Sequence, residues 1–167
     1  MGFGVVGGQV AKVLLDKSNV LAEQVGCPLV LRKIKVLEPD LARPQTRQMP
    51  APLFTTDDDE FFSDPEIDIV VEAIGEENPA LAYLKRAISS GKHVVTANKE
   101  VIAKHGGELL ALAQRHEVGL LYEASVGGGI PLIAPFKHDL VANEISGIFA
   151  IINGTTNYIL SRMAREG

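Results

Sequence analysis

Residues 67–97 read IDIVVEAIGEENPALAYLKRAISSGKHVVTA, and the fold is decided there. The run IDIVVEAIG (67–75) is nearly continuous in apolar residues and closes on Gly75. That pattern suits a strand buried on both faces of a parallel sheet. NPALAYLKRAISSG (78–91) reads as a helix with Asn78 as cap, Pro79 in the first turn and Gly91 as stop. KHVVTA (92–97) is the next strand. A strand, a helix and a second strand in this order make a βαβ unit, whose strands run parallel.

The pattern extends in both directions. Downstream, residues 98–119 read as a helix interrupted near Gly106-Gly107, and LLYEAS (120–125) as a strand. Upstream, Val10, Val13, Leu14 and Leu21 recur at helical spacing, so residues 5–25 read as helix, with a break near Ser18-Asn19 and Gly26 as stop. LVLRKIKVL (29–37) alternates like a strand. Residues 38–52 carry four prolines and read as an irregular connection. TTDDDEFFSDPE (55–66) reads as a short acidic helix capped by Thr56 or Asp57. The expected fold class is therefore α/β, a doubly wound, Rossmann-type parallel sheet. The last part differs: a helix over 131–140, a strand over 144–153 and a helix from Thr155 to the end. The expected division is 1–125, a dinucleotide-binding domain, and 126–167, the start of a second domain, with the boundary in EASVGGGI.

Composition sets limits. With 167 residues the chain can hide roughly two-thirds of its unfolded surface. A net charge of -5 argues against nucleic acid as a partner, which would need a basic face. Cys27 is the single cysteine, so an internal disulfide and a cysteine-based zinc site are both excluded; it is expected to be a partly buried apolar residue. No signal peptide and no run of about 18 apolar residues is seen, so no membrane is expected and a cytoplasmic protein is.

Four stretches could carry chemistry. At the start, MGFGVVGGQV places Gly2, Gly4 and Gly7 in the spacing G-x-G-x-x-G. Such a turn normally follows a strand and opens a helix: one glycine for the turn, one for the approach of a pyrophosphate, one for close packing. Only Met1 precedes it, so the first strand is expected to be missing from this sequence. Glu38, just past the second strand, is a candidate for the ribose hydroxyls or a solvated surface residue. Arg32, Lys33, Lys35 and Arg43 lie nearby and could instead meet a 2′-phosphate. VVTANKE (94–100) ends a strand where open α/β sheets bind ligands; Asn98 can cap the next helix, and Lys99 is either solvated or placed near a cofactor. YEASVGGGIP (122–131) combines Glu123 with three consecutive glycines, which suits a hinge, a hard cation held by oxygens, or both. NGTTN (153–157) offers more hydroxyls and amides than a helix cap needs, so a polar ligand is expected there. The four histidines show no metal spacing.

Taken together, GFGVVG, VVEAIG, GKHVVTANKE, EASVGGGIP and INGTTNYIL resemble homoserine dehydrogenase, in order and spacing, along essentially the whole chain. The resemblance implies an NAD(P)-dependent oxidoreductase that interconverts L-homoserine and L-aspartate 4-semialdehyde, on the route to threonine and methionine. It makes the second domain an α+β catalytic and dimerisation domain, and the full-length protein a homodimer acting on a small amino-acid substrate. It places Phe3, Gly4, Val5 and Val6 along the pyrophosphate, beside Gly7 of the glycine fingerprint, and Gly75, Thr96 and Lys99 along the cofactor crevice, with Lys99 near the reacting carbon. It assigns Glu123, Val126, Gly128 and Ile130 to a monovalent cation, sodium or potassium, and Asn153, Gly154 and Thr155 to the substrate. The main catalytic lysine is expected beyond residue 167, and the 167-residue chain by itself is expected to be inactive. Two other readings share the scaffold: a different NAD(P)-dependent dehydrogenase, and a dinucleotide-binding module without turnover.

Overall fold

Alternating helices and parallel strands build the first of two compact units, Met1–Val126; the second starts at Gly127. The structure is a computed structural model that describes residues 1–166. Helices α1 (Val5–Asp16) and α2 (Ser18–Val25) lead to strand β1 (Ile34–Lys35). After three 3-10 turns come β2 (Phe54–Thr55), α3 (Asp58–Ser63), β3 (Ile69–Glu72), α4 (Ala80–Ser89), β4 (His93–Thr96), α5 (Lys99–Arg115) and β5 (Leu120–Leu121). The second unit carries α6 (Gly154–Glu166).

All strand pairs are parallel, as the βαβ reading requires. They fall into two pieces, β1-β2 and β3-β4-β5. Met1 and Gly2 lie between the pieces. The Met1 amino group donates to the Val71 carbonyl at 2.6 Å, and the Ala73 N–H donates to the Met1 carbonyl at 3.0 Å. On the other side the Gly2 N–H donates to the Lys35 carbonyl at 3.1 Å. Two residues thus do the pairing of a strand between β1 and β3. The α/β Rossmann-type class holds, with the sheet in two pieces joined by this short bridge.

The main core forms where α4 and α5 cover β3 and β4. Leu84, Ile88, Val101 and Leu109 from the helices meet Val70 and Val94 from the strands, all buried. Each such side chain contributes roughly 1.5–3 kcal/mol by leaving water. A second cluster packs Phe3, Ala11, Ile34 and Val36, with the Phe3 ring edge-on to Phe54 at 5.1 Å between centroids.

Among the local expectations, Gly26 as a stop and Asp57 as a cap hold, and several others change. The strand expected over 29–37 narrows to β1, and β2 was not foreseen. The break in the first helix falls at Lys17, and Gly26 ends α2 at φ +84°. Asp57 caps α3, accepting from the N–H groups of Asp59 and Glu60. Asn78 does not cap α4: the helix begins after Pro79, and the Glu77 carbonyl accepts from the Leu81 N–H. The helix α5 runs unbroken through Gly106-Gly107, because Val101, Leu109 and Ala113 bury one continuous face. Two glycines cost only about 1 kcal/mol each there. The strand expected over 120–125 shortens to β5, followed by a 3-10 turn. The helix expected over 131–140 is confined to 133–139, with a π-helical turn at Pro135–Asp139. The strand expected over 144–153 is absent among the described residues; that run finds no pairing partner and stays irregular. Cys27 is exposed, not partly buried, because it follows the end of α2 outside either core.

Burial pulls the Met1 amino group down from its ordinary 8.0 to about 6; nearby Glu72 opposes the drop and Lys35 adds to it. The folded chain therefore resists a proton that the unfolded chain accepts between about pH 6 and 8. Stability is expected to rise with pH across that window, by roughly 3 kcal/mol in all. The carboxylates held low in the fold, such as Asp58 and Glu77, titrate below this range. Urea midpoints of the 167-residue chain at pH 5.5 and 8.5 measure the rise, and acetylation of the amino group should remove it.

Candidate functional site

The glycine turn between Met1 and α1 is shaped by two close backbone approaches. Gly2 has φ +82°, and a Cβ there would stand 2.7 Å from the Ala73 carbonyl oxygen. A Cβ on Gly7 would stand 2.0 Å from the Gly2 carbonyl oxygen. Any larger residue at either position would push the turn off the sheet. Gly4 differs: a Cβ would meet nothing within 4 Å. It is the N-cap of α1 and supplies no side-chain cap. The first N–H groups of a helix have no partner within it, and here Val5 is 93% exposed. Uncapped N–H groups, a positive dipole end and open space are together what an anion could use. Phe3 is buried against Phe54, so only its backbone faces this turn, while Val6 is half exposed.

Beside the turn, the carboxyl ends of β3 and β4 are tied by buried polar groups. Glu72 is fully buried and accepts from the Ile74 N–H at 2.7 Å and from the Thr96 hydroxyl at 2.5 Å. The Thr96 oxygen accepts from the Asn98 N–H at 3.0 Å. The Asn98 amide donates to the Glu76 carbonyl at 2.8 Å, and its oxygen caps α5 by accepting from the Val101 N–H at 3.1 Å. Thr96 is thus wholly buried, with its hydroxyl engaged inward. Gly75, exposed and at φ +94°, stands in the loop that Glu72 holds. Lys99 is exposed at the first position of α5, directly after the Asn98 cap. Its ammonium has no ion pair among the described residues.

Past the end of β1, Glu38 is exposed and accepts from the Thr56 hydroxyl at 3.1 Å. The four nearby cations are each paired. Arg32 meets Asp64 and Glu66, Lys33 meets Glu60, and Arg43 meets Asp40. Lys35, buried, meets Asp58 at 3.0 Å. Burial pushes the Asp58 carboxyl up, but hydrogen bonds from Lys35 and Tyr83 outweigh it and hold the group below the usual carboxylate range.

The remaining expected site residues divide between the two units. Glu123 opens a 3-10 turn and accepts through its carbonyl from the Val126 N–H at 3.1 Å. In the second unit, Gly127 and Gly128 take left-handed backbone at φ +73° and +63°, and the Ile130 N–H donates to the Gly127 carbonyl at 3.2 Å. Asn153 caps α6 by accepting from the Thr156 N–H at 2.8 Å, leaving Gly154 and Thr155 exposed in its first turn. No group of three or more His, Cys, Asp or Glu is placed to hold a metal among the described residues. No helix among them is long and apolar enough to cross a membrane. Sequence reasoning passed over Glu72. The available signal was an acid at the end of an otherwise apolar strand.

A family model described as "Homoserine dehydrogenase, NAD binding domain" matches residues 2–123, and a second, described as "Homoserine dehydrogenase", matches residues 131–167. The chain is 40% identical over 166 residues to the homoserine dehydrogenase of Bacillus subtilis and 43% over 170 residues to that of Synechocystis. These alignments take in 99% and 100% of this chain and 38% of each relative, so the chain spans well under half of their length. Among solved structures, a homoserine dehydrogenase from Thiobacillus denitrificans superposes with a TM-score of 0.82 at 41% identity, over 98% of this chain and 37% of that one. A hyperthermophilic archaeal homoserine dehydrogenase in complex with NADPH superposes at 0.76 and 25% identity, over 99% of this chain and 55% of that one.

Gly7→Ala is expected to destabilise the chain by roughly 3 kcal/mol, because the colliding atom is backbone and cannot swing aside. Gly8→Ala serves as control, since its Cβ would meet only the Phe3 ring at 3.9 Å. Urea denaturation of the two variants measures the difference.

Proposed function

Because the chain belongs to the homoserine dehydrogenase family, we propose that it forms the NAD(P)-binding part of an oxidoreductase interconverting L-homoserine and L-aspartate 4-semialdehyde. The observation that carries the reading is the uncapped start of α1 at Gly4, open to solvent on a turn that two other glycines press against the sheet. The residues present fit the dinucleotide. The N–H groups of the α1 first turn would take the pyrophosphate, with Gly4 giving room for it. Glu38 would take the ribose hydroxyls. Its charge, and the pairing of all four nearby cations, favour the unphosphorylated ribose of NAD.

When bound, the dinucleotide supplies the hydride acceptor or donor. The chain's own part is positional. Gly75 would border the crevice, with the buried Thr96 beneath it rather than on its wall, and Lys99, at the head of α5 and without an ion pair among the described residues, would bring a positive charge toward the reacting end. Such a charge favours negative charge developing on a carbonyl oxygen. Asn153, Gly154 and Thr155 would contact the amino-acid substrate. Glu123, Val126, Gly128 and Ile130 would hold a monovalent cation, Glu123 by its carboxylate and the others by carbonyls. The chemistry of an all-oxygen set suits a hard cation. The division into a dinucleotide domain, 1–125, and the beginning of a catalytic domain, 126–167, belongs to the same reading. So do a cytoplasmic location, a homodimeric whole protein and the absence of nucleic-acid partners.

Titration of the 167-residue chain with NADH and NADPH separately, read by nicotinamide fluorescence, tests the dinucleotide site. Saturable binding is expected, tighter for NADH. Gly4→Ala should leave the melting temperature within about 2 °C and weaken binding by about tenfold, since its Cβ enters open space on the ligand side. Absence of binding by the unaltered chain would overturn the reading. In the whole protein, Lys99→Ala should lower homoserine oxidation at least a hundredfold, in the range of a lost electrostatic group.

A further inference from the structure

We propose that Glu72 is a positioning residue for the dinucleotide crevice, acting through Thr96 and Asn98 on the two loops that border it. This deepens the function proposed above and rests on it. Glu72 does not face the crevice: it is fully buried beneath it. Its two oxygens are divided between two loops. One accepts from Ile74, in the loop after β3, and the other from Thr96, at the end of β4. The circuit then closes through Asn98, whose N–H binds the Thr96 oxygen and whose amide returns to the Glu76 carbonyl. Two of these four hydrogen bonds, Thr96 to Glu72 and Asn98 to Glu76, tie the segment 72–76 to the turn at 96–98, and the other two fix the geometry on each side.

Both ends of the lock meet elements of the site. Ala73 is the residue whose carbonyl a Cβ on Gly2 would strike, so loop 73–76 lies against the glycine turn. Asn98 caps α5 and directly precedes Lys99. A carboxyl is well suited to the task because it presents two separate acceptor oxygens. A buried acid is an expensive choice for a strand that otherwise reads Ile, Val, Val. An apolar residue would suffice for packing alone. Such a network fixes loops to one geometry only when every member is satisfied, and no buried side-chain polar atom among the described residues lacks a partner.

In the reading above the glycine turn would take the pyrophosphate and Glu38 the adenosine ribose, both of which ADP-ribose retains, while this lock would border the nicotinamide side. The test uses the 167-residue chain and two probes, NADH and ADP-ribose, the second lacking the nicotinamide. Thr96→Val removes the hydroxyl with little change of shape, Thr96→Ser restores it, and Glu72→Gln keeps the shape but loses one acceptor. For Thr96→Val and Glu72→Gln we expect ADP-ribose affinity within twofold of the unaltered chain. NADH binding should fall about tenfold, with loss of the emission change that marks a held nicotinamide. Thr96→Ser should behave like the unaltered chain. Equal weakening of both probes, in step with a lower melting temperature, would show a purely structural role and overturn the proposal, as would unchanged NADH emission in Thr96→Val. If Glu72→Gln fails to fold, the Thr96 pair decides alone. Failure of the unaltered chain to bind either probe would instead overturn the dinucleotide site itself.

Discussion

The close backbone approach at the amino end is the constraint on which the rest of the first unit depends. Gly2 and Gly7 let the turn press against Ala73 and against itself at distances no side chain permits. That contact seats Met1 and Gly2 between β1 and β3, where they pair with both. It joins the two sheet pieces and sets the start of α1 beside the loop after β3. Without it, β1-β2 and β3-β4-β5 would share no backbone pairing, and the open start of α1 would have no fixed relation to the loop after β3. The hydrophobic cores show the same division: one cluster beneath α1 and β1, and a larger one under α4 and α5.

What could be read from the sequence was what depends on repeating pattern. The strand–helix–strand run at 67–97 is long enough for its burial pattern to be unmistakable, and β3, α4 and β4 form inside it. The Asp57 and Asn98 caps were legible because capping depends on a side chain and the next few residues. Features set by tertiary contact were not. Strand β2 has two residues and exists because Phe54 and Thr55 meet Ile34 and Lys35. The apolar run at 144–153 has the composition of a strand, but a strand needs a neighbour to pair with, and Phe149 and Ile152 remain exposed. The glycines in α5 looked like a break because local propensity ignores the core on which that helix lies.

The site divides in the same manner. The glycine turn, Glu38 and Lys99 are candidates that motif and position supply. The inward role of Thr96 could not be read from either, because it depends on a partner 24 residues earlier in the chain. Nor could the pairing of Arg32, Lys33, Lys35 and Arg43 with acids. On paper these four residues make a basic patch, and in the fold they are neutralised. Charge composition alone says little about the field at a binding site; which acids the fold brings alongside decides it.

In the 167-residue chain the buried amino group of Met1 has a practical consequence. An amine that loses its proton near pH 6 would ordinarily be the first in a protein to react with acylating reagents at neutral pH. Here the same burial that lowers its proton affinity shields it from the reagent, and its hydrogen bond to Val71 holds it in the sheet. Acylation at this position therefore requires the two sheet pieces to part. The rate of that modification becomes a clock for the opening of the joint, read by mass at the first residue while lysine labelling reports on the surface.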